Sequence, residues 1–313
     1  MSAPDLDRSG MRIAHATDIH WFTPPSLRDF APKRVIGTLN LYARGRRHMF
    51  ADTVQSQLVA HIQSLEPDLV LITGDLTAQA LPSEFAKARD ALAPLLTSHA
   101  SLVLPGNHDV YTPGSVRHGL FAQTFAAWSG VPDPAGSGLV RVDVGNLTAI
   151  GLDPNRPTWI TAAGKVPRAQ LARLAALLAD PELADRHVVL GIHYPIVDHT
   201  GALYDEPTHG LLNAQALVDV LDQAPKRPLF VACGHVHRGF LAPLVLSDGA
   251  RVPIVDCGSS GHSYAERRHA SMGLYDIDDD GQVTFRRHVH DGERFVPEVG
   301  GPFAAAVEAQ PVA

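Results

Sequence analysis

The stretch Leu69-Val-Leu-Ile-Thr-Gly-Asp75 sets a short apolar run directly against a glycine and a carboxylate. Such a run reads as a strand that ends in a sharp turn carrying a polar group. The arrangement recurs four more times: Ile13-Ala-His-Ala-Thr17 runs into Asp18-Ile-His20, and Leu102-Val-Leu-Pro105 into Gly106-Asn-His-Asp109. Likewise Val188-Val-Leu-Gly-Ile192 runs into His193, and Leu229-Phe-Val-Ala-Cys233 into Gly234-His-Val-His237. In open α/β sheets ligands gather beyond the carboxyl ends of the strands, so these ends mark one site. Side chains two apart on extended backbone share a face, which pairs Asp18 with His20 and His235 with His237. Gly74, Gly106 and Gly234 give the chain its turns and leave room for ions.

Working outward, further strands are expected at Leu139–Val144, Leu147–Leu152, Arg251–Asp256, Met272–Ile277 and Gln282–His288. Helical periodicity appears at His48–Leu65, Ser83–Leu96, Val116–Trp128, Pro167–Ala179 and Asn213–Asp222. The early strands alternate with helices as βαβ units, whereas 139–152 and 251–288 read as antiparallel hairpins turning at Gly145-Asn146 and Asp280-Gly281. Without repeats or a low-complexity linker, one α/β domain over 11–297 is expected, with 1–10 and 298–313 as flexible ends.

Composition narrows the functional classes. Of 313 residues, 45% are hydrophobic and 19% charged, which describes a globular chain. Lys+Arg of 26 against Asp+Glu of 33 gives a net charge of −7, so no stable nucleic-acid partner is expected. Cys233 and Cys257 suit small buried positions rather than a disulfide framework. No apolar run reaches the roughly 18 residues of a spanning helix. The opening Met1-Ser-Ala-Pro-Asp-Leu-Asp7 lacks a signal-peptide core, and a cytoplasmic location is the expectation. The unusual count is 17 histidines.

Asp18, His20, Asp75, Asn107, His193, His235 and His237 are more ligands than one tetrahedral zinc uses. Hard oxygens with imidazole and no thiolate suit Mn, Fe, Zn or Co. Two ions about 3.5–4 Å apart, with one carboxylate between them, form a clamp for in-line displacement at phosphorus.

The ordered set D-x-H, G-D, G-N-H-D, G-x-H and G-H-x-H resembles the signature of the calcineurin-like metallophosphoesterase superfamily. The forms Gly74-Asp-Leu-Thr77 and Leu104-Pro-Gly-Asn-His-Asp109 are most similar to its single-domain bacterial branch, which includes cyclic-nucleotide phosphodiesterases. The resemblance implies a layered αββα sandwich with mixed sheets. It assigns Asp18, His20 and His237 to one divalent or trivalent metal, Asn107, His193 and His235 to a second, and Asp75 to both. It further implies that a metal-bridging hydroxide attacks phosphorus while His108 serves the leaving group. The expected partner is a small phosphorylated substrate: a phosphodiester, with cyclic nucleotides among the candidates. A phosphomonoesterase or nucleotide pyrophosphatase is the alternative on the same residues.

Two departures carry information. Phosphoprotein phosphatases continue the second motif as G-D-x-x-D-R-G, whereas here Leu76-Thr-Ala-Gln-Ala80 follows. That argues against a Ser/Thr protein phosphatase and leaves His108 without an orienting carboxylate, unless Asp109 serves. Where many relatives write His-His-Pro, this chain has His193-Tyr-Pro195, which makes Tyr194 a candidate for the substrate wall.

Arg28, Lys33, Arg34, Arg44, Arg46 and Arg47 crowd a 21–48 insertion in which Val35, Ile36, Leu39 and Tyr42 keep helical spacing. Three readings stand: a lid whose cations hold a substrate phosphate, an amphipathic helix (33–48) on a membrane surface, or a solvated face. Arg238, beside His237, and His209, in the loop after His193, are further substrate-contact candidates, and His262 after Cys257-Gly-Ser-Ser-Gly261 is weighed likewise. Asp276-Ile-Asp-Asp-Asp-Gly281 imitates a calcium loop, but Arg287 at its twelfth position makes it a turn. Two other classes fit less well. A metal-dependent amidohydrolase opens with H-x-H on a barrel strand, whereas that motif comes fifth here. A non-catalytic interaction module would have lost ligands, and none is missing.

Overall fold

The computed structural model describes residues 10–25, 51–157, 161–262 and 269–303. In chain order the strands are β1 (Met11–Ala16), β2 (Leu69–Ile72), β3 (Ala100–Val103), β4 (Val131–Pro132), β5 (Val140–Val144), β6 (Leu147–Leu152) and β7 (His187–Ile192). They continue as β8 (Val231–Cys233), β9 (Phe240–Val245), β10 (Arg251–Asp256), β11 (Ser271–Ile277), β12 (Val283–His290) and β13 (Phe295–Pro297). The helices are α1 (Asp52–Ser64), α2 (Pro82–Ser98), α3 (Pro113–Arg117), α4 (Leu120–Phe125), α5 (Arg168–Leu178) and α6 (Ala214–Gln223).

The strands form two mixed sheets, ordered β13-β12-β11-β1-β2-β3 and β4-β5-β6-β7-β8-β10-β9. Strand β2 shows why they stack. Leu69 and Leu71 join a core shared with Ala149, Val189 and Ala232 of the second sheet, while Val70 and Ile72 join one shared with Leu58 of α1 and Phe85 of α2. A strand buried on both faces must be apolar at every position, which is what the run displays. On the far side of the second sheet, Ile150 and Leu190 join a core with Leu174 of α5 and Leu217 of α6. The layers are helix, sheet, sheet and helix, as expected. Strands β1, β2 and β3 are mutually parallel, as are β6, β7 and β8, so the motif-bearing ends gather at one edge of the sandwich.

Three expectations need correction. Arg251–Asp256 does not join a hairpin with Met272–Ile277: it pairs antiparallel with β9 in the second sheet, and the chain then crosses to the first. Pro243 interrupts the strand pattern of β9 in the sequence, and an edge strand tolerates it. The helix expected over Val116–Trp128 divides into α3, α4 and a short 3-10 turn (Ala126–Trp128), because Gly119 adopts φ +57° between them. The described residues 298–303 of the end expected to be flexible are packed, with Arg287 donating to Glu298 at 2.6 Å and Phe303 buried in the intersheet core. The basic cluster from Arg28 to Arg47 lies outside the described residues.

A small polar group of buried side chains sits within the intersheet layer. His15 is fully buried, with Nδ1 2.8 Å from the Tyr275 hydroxyl and Nε2 2.8 Å from Thr73 Oγ1. Burial holds its pKa down to about 3, against the pull of Asp18. The folded state therefore keeps a neutral imidazole, whereas the unfolded chain takes up a proton near the ordinary value of about 6.5. Stability from this residue is intact above that value and lost as pH falls toward the folded pKa. Acidifying metal-free protein from pH 7 to pH 5 should remove about 2 kcal/mol through His15. Denaturant unfolding should show a shallower pH dependence for His15→Gln than for wild type. Equal slopes would contradict a buried neutral histidine.

Candidate metal centre

The five strand ends converge. Asp18 and His20 follow β1, Asp75 follows β2 and Asn107 follows β3, while His193 follows β7 and His235 and His237 follow β8. The first two turns run side by side, with Asp18 N donating to Gly74 O, His20 N to Asp75 O and Trp21 N to Leu76 O at 2.7–3.0 Å. Asp18, His20, Asp75, His235 and His237 all hold left-handed φ angles between 52° and 74°. The expected pairing of Asp18 with His20 and of His235 with His237 is thus reached on left-handed rather than extended backbone. Left-handed non-glycine residues cost on the order of 1–3 kcal/mol each and persist where the surroundings over-determine them. Gly74 takes φ +105°, and a Cβ there would come within 2.6 Å of Gly106 N. A Cβ on Gly234 would run into Thr17 and the Asp18 carboxylate, so this approach requires glycine.

Two groups of ligand atoms share Asp75. Atoms of Asp18, His20, Asp75 and His237 all lie within 4.8 Å of one another. His237 Nε2 is 3.0 Å from Asp18 Oδ1 and 3.2 Å from His20 Nε2, and His20 Nε2 is 3.7 Å from Asp75 Oδ2. On the other side His193 Nε2 is 3.5 Å from Asp75 Oδ1 and 3.1 Å from Asn107 Oδ1, and His235 Nδ1 is 2.8 Å from the same Asn107 oxygen. Asp18 Oδ1 is buried and makes no hydrogen bond, although it faces His237. An orphaned carboxylate oxygen amid inward-facing imidazole nitrogens fits a divalent cation.

The outer nitrogens are tied down. His20 Nδ1 donates to Thr77 O, His193 Nδ1 to Thr73 O and His235 Nε2 to His209 O, at 3.2, 2.8 and 2.7 Å. Each carbonyl fixes a proton on the outer nitrogen and leaves a lone pair inward, the form a metal needs. Charge inside the cluster is divided accordingly. Burial would raise Asp18 and Asp75, but the facing imidazoles of His237 and His193 hold both well below the usual carboxylate range. Burial lowers His20 and His235 to about 3, while at His193 the Asp75 carboxylate overcomes burial and lifts the pKa to about 9. A cation bound here displaces that proton.

The remaining candidates occupy distinct positions. His108 stands edge-on to His20, 4.9 Å between centroids, and stacks on Tyr111. Its backbone N–H donates to Asp75 Oδ1 at 2.7 Å, and its Nδ1 donates to Ala78 O at 2.7 Å. The orienting group is thus a main-chain carbonyl. Asp109, the carboxylate considered for that role, instead accepts from Leu76 N, Thr77 N, Thr77 Oγ1 and Gly106 N at 2.8–3.1 Å. It clasps the second motif to the third; burial and the neighbouring Asp75 push its pKa up to about 7. Tyr194 is 1% exposed and packs against His235 and His193, behind the ligands. His209 contributes its carbonyl while its side chain points to Thr208 and Glu206. Arg238 is exposed, with Nη1 3.2 Å from His199 Nε2. Sequence reasoning missed Ser259 and Ser260, which bind the main chain of Asp18 and Thr17.

Residues 11–239, well over half of the chain, match the sequence profile described as calcineurin-like phosphoesterase. A protein of Vesicomyosocius okutanii subsp. Calyptogena okutanii (strain HA), named a probable cyclic nucleotide phosphodiesterase, is 23% identical over 233 residues, 73% of this chain and 85% of that protein. A protein of Synechococcus sp. (strain WH7803) with the same designation is 26% identical over 278 residues, 84% of this chain and 95% of its own length. Among solved structures, a purple acid phosphatase from yellow lupin (Lupinus luteus) seeds superposes with a TM-score of 0.60 at 14% identity. It covers 93% of this chain, which spans only 53% of the lupin protein, and it speaks to the fold.

The clasp made by Asp109 can be tested directly. Asp109→Asn keeps the shape but aims an amide N–H at buried donors, and each donor left without an acceptor costs about 1–3 kcal/mol. Thermal unfolding of the metal-free variant should occur at clearly lower temperature, and an unchanged midpoint would rule out the clasp.

Proposed function

We propose a substrate class and a division of labour for this chain, which belongs to the calcineurin-like phosphoesterase family and is a metal-dependent phosphoester hydrolase. Asp18, His20 and His237 hold one metal ion, Asn107, His193 and His235 hold the other, and Asp75 is shared. The observation that carries this reading is that Asp75 turns Oδ2 toward His20 and Oδ1 toward His193. The thiolate-free donor set favours Mn, Fe or Zn. When bound, two such ions would supply the acidity that makes hydroxide available near neutral pH and the positive charge that faces the phosphoryl oxygens.

The chain's own residues do the rest. In its imidazolium form His108, with Nδ1 committed to Ala78 O, can give the Nε2 proton to the departing oxygen. The exposed side chains of Arg238 and His209 stand beside the ligands but turn to His199 and to Thr208 and Glu206, and Tyr194 braces the two imidazoles from behind. We assign a phosphodiester substrate, and a cyclic nucleotide within that class. A diester carries one negative charge, which two cations neutralise without help, whereas a monoester dianion calls for added cationic side chains. Among the described residues, Arg238 beside the ligands is exposed and turned toward His199, and Arg287, which lines the same cleft, is tied to Glu298 and to the Cys257 carbonyl. The designation of the two sequence relatives as probable cyclic nucleotide phosphodiesterases supports the same substrate. A cytoplasmic setting suits it, and among the described residues no helix is long and apolar enough to cross a membrane.

At equal metal loading, kcat/KM should be higher for an aryl phosphodiester than for the matching monoester, with 3′,5′-cyclic AMP also turned over. The reverse order would replace the substrate class while leaving the metal assignment standing. His108→Ala should lower kcat about 10²–10⁴-fold with metal content intact. The loss should shrink as the leaving group improves; an equal loss on aryl and alkyl esters would mark His108 as structural.

A further inference from the structure

We infer that His262 is a positioning residue that holds His237 in the tautomer required of a metal ligand; the inference rests on the two-ion reading above. His20, His193 and His235 turn their outer nitrogens to main-chain carbonyls, which accept only and so leave no choice of tautomer. His237 is arranged differently. Its Nδ1 lies 3.3 Å from His262 Nε2, with the rings 88° apart and their centroids at 5.5 Å. Its Nε2 is the inward nitrogen, facing Asp18 and His20. For Nε2 to offer a lone pair the proton must sit on Nδ1, so His262 must accept it at Nε2.

His262 is 2% exposed, so it acts on His237 rather than on a substrate at the rim. The loop from Cys257 that delivers it is fastened to the first motif. Ser259 Oγ donates to Asp18 O at 2.7 Å, Thr17 N to Ser260 Oγ at 3.1 Å and Ser260 N to Thr17 O at 2.8 Å. Gly261 lies against the Ile19 carbonyl, where a Cβ would overlap it. One crossing between the sheets therefore sets both the carboxylate and an imidazole of the same metal group.

Metal-free wild type, His262→Phe and His262→Asn can be titrated with Mn²⁺ in a calorimeter, and their metal-free melting temperatures compared. Phenylalanine fills the space and accepts nothing, whereas the asparagine amide oxygen can accept from His237 Nδ1. Wild type should bind two ions. His262→Phe should weaken one about 10–100-fold and spare the other, and His262→Asn should recover most of that loss. His262→Leu gives the same reading if the phenylalanine variant does not fold. Two ions bound with unchanged affinity in every variant would overturn the role of His262. So would a loss shared equally by phenylalanine and asparagine that tracks a fall in metal-free melting temperature. A single ion on wild type would instead overturn the two-ion reading itself.

Discussion

Two carboxylates, Asp18 and Asp75, lie buried side by side at the seam between two sheets. Removing such charges from water is costly unless cations or strong donors face them. Both acids belong to turns of the first sheet, and the imidazoles of His193, His235 and His237 come from the second. The site therefore exists only while the sheets stay in register across their shared core. Gly151 and Gly191 show how closely they are held. A Cβ on Gly191 would come 3.1 Å from both Leu104 and Leu71, and Leu104 and Val140 crowd the same position on Gly151. Small residues beneath the site let the sheets approach, and that approach brings acids and imidazoles within reach of common ions.

The backbone at the ligands is strained, and the strain is confined. Left-handed turns at Asp18, His20, Asp75, His235 and His237 are opposed by hydrogen bonds that leave the chain little alternative. Asp109 clasps the second and third motifs, Ser259 and Ser260 clasp the first, and Gly234 N donates to His193 O across the second sheet. The left-handed turns present side chains two apart toward one centre, which rigid strand ends alone would not achieve. Preorganisation of this kind suits the proposed pair of ions, whose like charges would have to be held close together.

The candidate ligands were legible because metal chemistry demands particular side chains, and each stands just after an apolar run. The groups that orient them were not. Thr73, Thr77, Ala78 and His209 act through main-chain carbonyls, which any residue supplies. Asp109 stood next to His108 in sequence, yet its turn aims the carboxylate at the neighbouring loop. The α/β class was legible from the alternating elements and the sandwich from the resemblance that the motifs carry, whereas the crossing after Asp256 was hidden by Pro243, which disguised β9 and with it the true partner of β10.

One carboxylate, Asp75, is proposed to serve two ions at once. Electron paramagnetic resonance of the protein loaded with Mn²⁺ tests it most directly. Two ions about 3.5–4 Å apart that share a bridging ligand couple their spins. A shared Asp75 should give a spectrum of exchange-coupled pairs at full loading, which Asp75→Ala abolishes. Isolated, uncoupled Mn²⁺ at every loading of the wild type would contradict it.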